Sequence, residues 1–142
     1  MDTFDLVVLG GGTGGYTAAI RAAQLGLGAA IVEEDKVGGV CLHKGCIPTK
    51  VMLESAEALS LVRRGKKLGI EAENIHLDFS SVARRQREVV DGLYKNLQNL
   101  IRKHRIEVIA GRGRFLSPTE IAVDGGQRKL AAGHVVFARG SV

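Results

Sequence analysis

Three features of the sequence predict an α/β fold with a parallel sheet, crossover helices and a β-meander. A β-type apolar run, LVVL at 6–9, meets glycine at once; an alanine-rich stretch of helical spacing follows at 16–25; and a second β run, AAIV, stands at 29–32 after Gly26. Strand, glycine turn, helix and strand within about 30 residues make a βαβ unit, whose strands are expected to be parallel and joined by a right-handed crossover. The fold class follows from this first quarter of the chain.

The later elements are read in order. Pro48 fits a first helical position, and Leu53, Ala56, Leu59 and Val62 share one face of a helix expected over 51–62. Residues 65–77 read as a polar loop. A longer helix is expected over 80–104, where Val82, Val89, Leu93, Leu97, Leu100 and Ile101 recur at three- and four-residue steps, with Asp78 or Ser80 capping its free N–H groups. A strand at 106–110 leads into Gly111-Arg112-Gly113. Short β runs at 114–116, 120–123 and 128–130, with the hairpin signal DGG at 124–126, form a meander that feeds a last strand at 134–138.

Composition narrows the function classes. The 142 residues suit one domain, and the 45% hydrophobic and 25% charged fractions are those of a globular protein, neither disordered nor fibrous. No apolar run approaches the roughly 20 residues of a membrane span, and the start, MDTFDLVVLG, has no basic stretch or cleavage pattern; the chain reads as cytoplasmic. The net charge of +5 permits a polyanionic partner. The basic groups (Arg63, Arg64, Lys66, Lys67; Arg84, Arg85, Arg87; Arg102, Lys103, Arg105) lie mostly on predicted helices without the aromatic platforms that base stacking needs, so they read as solvated faces and not as a nucleic-acid surface. Glycine is in excess, at 19 residues, which points to tight turns or close backbone approach.

Gly10, Gly12 and Gly15 provide that approach, standing at GxGxxG spacing directly between strand and helix. The first allows the tight turn, the second lets backbone reach a pyrophosphate, and the third lets helix and strand pack closely, so that phosphate sits on free N–H groups at a helix start. Glu33, 23 residues after Gly10 at the end of the second strand, is placed to accept hydrogen bonds from ribose hydroxyls. Glu34 and Asp35 read as its solvated neighbours. The pattern predicts dinucleotide binding without saying whether NAD or FAD.

The two cysteines, Cys41 and Cys46, are five positions apart, which a regular helix would turn about 140° from one another. A disulfide needs an irregular turn, for which Gly45 supplies the freedom. Cys46 then falls at a helix start, where the dipole, Lys44 and Lys50 favour thiolate. So small a ring adds little stability and suits a redox device better than a staple. Unpaired core thiols remain open, as does a metal site with His43, although that pattern lacks the paired knuckles of zinc modules; His43 itself reads as a polar loop residue.

The run GGVCLHKGCIPTK at 38–50, behind the glycine loop and Glu33, resembles the signature of the class I pyridine nucleotide-disulfide oxidoreductases, and Leu42 with Ile47, Pro48 and Thr49 resembles the dihydrolipoamide dehydrogenase branch more than the glutathione or mercuric reductases. The resemblance covers essentially the whole chain. It implies a Rossmann-like FAD-binding fold, with FAD bound tightly but non-covalently and NAD+ as co-substrate. It implies that Cys41 and Cys46 form the active disulfide, Cys41 meeting the dihydrolipoyl dithiol and Cys46 lying nearest the flavin. Gly38, Gly39, Val40 and Lys50 would lie along the flavin. Gly113 would contact the adenosine end by its backbone, and Gly140 and Ser141 would match the segment under the cofactor.

The same resemblance implies a homodimer serving the lipoyl groups of 2-oxo acid dehydrogenase complexes, with no membrane or nucleic-acid partner and no metal. It makes residues 1–142 the N-terminal portion of an FAD-binding domain, the NAD-binding and C-terminal interface domains being outside it, so that the chain is expected not to complete turnover alone. The family's general base, a histidine of the interface domain, has no counterpart among His43, His76, His104 and His134. Arg139 stands where the family carries a small residue close to the cofactor; a long cation there is expected to obstruct FAD. The alternatives are a related disulfide reductase of the glutathione or mercuric type, and a stand-alone nucleotide-binding or redox-sensing module.

Overall fold

The computed structural model describes residues 1–141. The elements run β1 (Asp2–Leu9), α1 (Thr13–Gln24), β2 (Ala29–Glu33), a short α2 (Gly39–His43), α3 (Cys46–Arg64), α4 (Phe79–Lys103), β3 (Glu107–Ala110), β4 (Gly113–Ser117), β5 (Glu120–Val123) and β6 (Arg128–Phe137). One six-stranded sheet has the order β3-β2-β1-β6-β5-β4. Its β3-β2-β1-β6 part is parallel, with Leu6 opposite Ala29 and Val7 opposite Val135, while β6-β5-β4 is antiparallel. The sequence thus predicted both the parallel βαβ start and the meander.

The two meander strands expected at 128–130 and 134–138 are one strand. It pairs with β5 over 128–131 (Leu130 opposite Ile121) and with β1 from Leu130 to its end (Leu130 opposite Asp2, Phe137 opposite Leu9). Gly133, between the two expected runs, sits where a Cβ would lie 3.1 Å from the Asp5 carbonyl. The missing side chain lets the strand pass close to β1 and continue.

Because strand residues alternate faces, β1 and β2 supply two cores. Leu6, Val8, Ala29 and Ile31 meet Ala19 and Ala22 of α1 and Ile101 at the end of α4, while Val7, Leu9, Ala30 and Val32 meet Ile121, Val123 and Leu130 of the meander. Helices therefore cover one face of the sheet and the meander covers the other, as the near-continuous apolar runs of doubly covered parallel strands require. The buried residues of α1, Gly15, Ala19 and Ala22, are small, which keeps it close to β1, and the half-buried Tyr16 and Ile20 pack against the same cluster.

The predicted apolar stripe of α3 is not core. Leu53 and Val62 are exposed, and the buried residues of α3 are Pro48 and Val51 in its first two turns. α3 packs along α4, an arrangement tied by an ion pair between Glu54 and Arg85. In the segment expected to be loop, residues 65–68 form one 3-10 turn. Among the described residues no helix is long and apolar enough to cross a membrane.

Asp78, one of the two expected caps, is the cap of α4. Its carboxylate accepts the N–H groups of Ser80 (3.0 Å) and Ser81 (3.3 Å) and both hydroxyls. Those hydrogen bonds, led by the Ser80 hydroxyl, hold its carboxyl well below the usual carboxylate range. Asp78→Ala is expected to lower the midpoint of thermal unfolding by a few degrees at pH 7. A depressed carboxyl stabilises the fold above its unfolded value and loses that contribution as pH falls, so the gap to the wild type should narrow below about pH 4. Thermal scans of both proteins across that range check it.

Candidate functional site

The glycine loop is built by three backbones that touch. The Gly10 N–H donates to the Val32 carbonyl at 2.9 Å and the Ala138 N–H to the Leu9 carbonyl at 2.8 Å, so the ends of β2, β1 and β6 meet at one point. Gly10 turns there with φ +104°. A Cβ on it would lie 2.3 Å from the Ala138 carbonyl oxygen, and a Cβ on Gly15 would lie 1.8 Å from the Gly10 carbonyl oxygen. Gly12 differs, its nearest neighbour to a Cβ being Gly39 at 3.9 Å; it N-caps α1 with no side-chain cap and no acidic residue in the first turn. The first N–H groups of α1 thus have no partner from the helix itself, which is the arrangement that receives a phosphate.

Glu33 is fixed by two backbone donors. Its Oε2 accepts from the Gly11 N–H at 2.6 Å and its Oε1 from the Asp35 N–H at 2.9 Å. A carboxylate has about four acceptor positions, so it retains capacity for a diol. Gly11, outside the three predicted glycines, therefore belongs to the site, and a Cβ on it would press on Val37 and Glu33.

Gly10, Glu33 and Gly113 line one cleft at the carboxyl ends of the parallel strands, where ligands of open α/β sheets bind. Gly113 opens β4, where a Cβ would lie 2.7 Å from Leu9 Cδ2. Glu34, expected to be a solvated neighbour, is exposed and also pairs with two guanidiniums, Arg139 at 3.3 Å and Arg112 at 3.8 Å, across the mouth of this cleft. The cleft as it stands, about 40 Å³, holds a few waters. The backbone cradle and the Glu33 carboxylate fit the adenosine diphosphate half of a dinucleotide, provided that the arginines move. Gly140, at φ +73°, and Ser141 follow β6 on the surface and do not line the cleft; Arg139 does.

The cysteine segment is seated on the glycine loop. The Gly38 N–H donates to the Gly11 carbonyl at 2.8 Å, and a Cβ on Gly39 would lie 2.8 Å from Gly12 Cα. Cys41 then lies in α2, Gly45 breaks the helix, and Cys46 is the first residue of α3. The sulfurs of Cys41 and Cys46 are joined as a disulfide, with Cα atoms 4.6 Å apart, which removes the readings of free thiols and of a metal site with His43. α3 starts at Cys46 and not at Pro48, which occupies the third helical position; its missing N–H is one of those the first turn leaves unpaired. Val40 and Lys50 are exposed, Lys50 one turn beyond Cys46 on α3.

His43 is not a loop residue. It ends α2, and its Nε2–H donates to the Val37 carbonyl at 3.0 Å while its ring stands edge-on to Tyr94 of α4, centroids 5.0 Å apart. The turn that carries the disulfide is thereby braced against α4 as well as against the glycine loop.

The arrangement joins an anion cradle, an oriented carboxylate and a two-electron thiol couple within one end of a sheet. Residues 4–142 match the family described as pyridine nucleotide-disulphide oxidoreductase. A dihydrolipoyl dehydrogenase of Bacillus subtilis (strain 168) is 51% identical over 116 residues, 82% of this chain and 24% of that protein. One from Chlamydia pneumoniae is 40% identical over 97% of this chain and 30% of its own length, and a leghemoglobin reductase of Vigna unguiculata is 36% identical over 99% of this chain and 28% of its own. The chain thus spans about a quarter to a third of the length of these relatives. With 4–142 matched, nearly the whole of it, the chain belongs to the pyridine nucleotide-disulphide oxidoreductases.

Proposed function

We propose that this chain is the FAD-binding, redox-disulfide part of a dihydrolipoyl dehydrogenase: the N-terminal portion of an FAD domain, working with NAD-binding and interface domains elsewhere in a longer, homodimeric, cytoplasmic protein. The observation that carries the reading is the seating of the Cys41–Cys46 disulfide on the glycine loop through Gly38 and Gly39. A cofactor laid along that loop is thereby brought toward the sulfurs.

In this reading a lipoyl thiolate attacks Cys41 Sγ, forming a mixed disulfide and expelling Cys46 as thiolate. The second lipoyl thiol, deprotonated, then attacks the lipoyl sulfur of the mixed disulfide, releasing cyclic lipoyl disulfide and Cys41 thiolate. Two electrons have moved from the substrate dithiol to the cysteine pair. Cys46 is the suitable leaving group because it heads the 19-residue helix α3, whose positive end stabilises a thiolate. Lys50, one turn on, adds positive charge on the same segment. FAD, when bound, supplies the acceptor that takes the electron pair on to NAD+. Glu33 holds the ribose, the first turn of α1 holds the diphosphate, and Gly111 to Gly113 offer backbone to the base. Lipoyl groups of 2-oxo acid dehydrogenase complexes are the partners this chemistry serves.

The test is anaerobic titration of the FAD-loaded full-length protein with dihydrolipoamide, followed by thiol counting. The reading expects retained flavin absorbance, a spectral change on adding dithiol, and two new protein thiols; a protein that retains no flavin, or whose disulfide ignores the dithiol, refutes it. Glu33→Ala removes the ribose acceptor and the brace on the Gly11 N–H together. It should weaken FAD and ADP binding by about tenfold or more, measured by calorimetry.

A further inference from the structure

We propose that Arg139 is a phosphate-binding residue of the nucleotide site, kept from it by Glu34 until a diphosphate displaces that carboxylate. The inference rests on the dinucleotide reading above and assigns one more residue to it.

The backbone places Arg139 on the loop. A Cβ on Gly10 would lie 2.9 Å from Arg139 Cα, so the residue stands directly beside the first glycine. From two residues beyond β6 its side chain reaches the residue that follows β2, where Nη2 lies 3.3 Å from Glu34 Oε1. It lies across the mouth of the cleft and is only 29% exposed.

Glu34 alone faces two guanidiniums, Arg139 and Arg112, and the first turn of α1 adds its positive end without an acidic residue. A diphosphate on the glycine loop would offer Arg139 a second anionic partner beside Gly10. Glu34 is 54% exposed, and an ion pair so open to water is weak, whereas a guanidinium on phosphate makes charge-assisted, fork-shaped hydrogen bonds. Exchange of the carboxylate for phosphate is therefore favourable, and it also clears the cleft. A long cation at this position helps binding instead of blocking it.

The test is calorimetric titration of the full-length protein, freed of bound nucleotide, with ADP and with uncharged adenosine. Arg139→Ala should weaken ADP by about tenfold and leave adenosine unchanged, Arg139→Lys should recover part of the loss, and Glu34→Gln should tighten ADP by about threefold by releasing the guanidinium. If Arg139→Ala binds ADP as well as or better than the wild type, or if ADP and adenosine weaken equally, the proposal is wrong while the dinucleotide reading stands. An unchanged ADP affinity in Glu34→Gln overturns the competition by Glu34. A wild type that binds neither ADP nor FAD overturns both readings together.

Discussion

Cys41→Ser is expected to abolish oxidation of a lipoyl dithiol, by at least about a thousandfold in turnover, while the protein still folds and binds FAD. The sulfur attacked in the first exchange step is gone, and Cys46 alone cannot store two electrons as a disulfide. Survival of the fold follows from the size of the ring. Closing about six residues is worth on the order of 2 kcal/mol by chain entropy, and the segment is held independently by the Gly38 N–H, the Gly39 contact on Gly12 and the His43 bond to Val37. Cys46→Ser should be equally inactive. The check is stopped-flow absorbance: dihydrolipoamide should leave the flavin of either variant oxidised, while dithionite, which needs no disulfide, should still bleach it. Residual dithiol oxidation above about a hundredth of the wild type would mean that the pair is not the redox centre.

Gly15→Ala is expected to damage fold and site together. The added Cβ would stand 1.8 Å from the Gly10 carbonyl oxygen, with Val8 at 3.2 Å behind it. α1 must then draw away from the end of β1 by more than 1 Å to reach the 3.0 Å that real Cβ atoms respect. Overpacking against fixed backbone costs about 3 kcal/mol, or a fall in thermal midpoint on the order of 10 °C. The same displacement moves the first N–H groups of α1, which the proposed function places on the diphosphate, so FAD retention should be lost as well. Gly14→Ala is the internal control, because nothing lies within 4 Å of its Cβ and the position is helical. It should be neutral or stabilising by up to about 1 kcal/mol. Equal damage from both substitutions would show that bulk anywhere in the loop, and not contact at Gly15, is the cause.

Much of this was readable in the sequence because the signals are local. The change from short apolar runs to helical spacing around the glycines marked β1, α1 and β2; Asp78 caps α4 through partners two and three residues on; DGG at 124–126 turns the hairpin. The break between Cys41 and Cys46 was legible for the same reason, with Gly45 between them. Apolar spacing failed where it met a surface: it marks an amphipathic face on α3 but not whether anything covers it, and Leu53 and Val62 are exposed.

The sequence by itself determined the α/β class, the phosphate-type loop, the carboxylate at the end of β2 and the resemblance that paired the cysteines. Each of those depends on residues within a few positions of one another or on a short contiguous motif. Only the tertiary structure decided that Gly38 and Gly39 seat the disulfide on Gly11 and Gly12, that β6 runs unbroken past Asp5, and that Glu34 answers Arg112 and Arg139. The parallel register of β6 and β2 on either side of β1 brings those partners together, and backbones that touch without side chains, like charges that meet across 105 positions of chain, leave no periodic trace in the sequence.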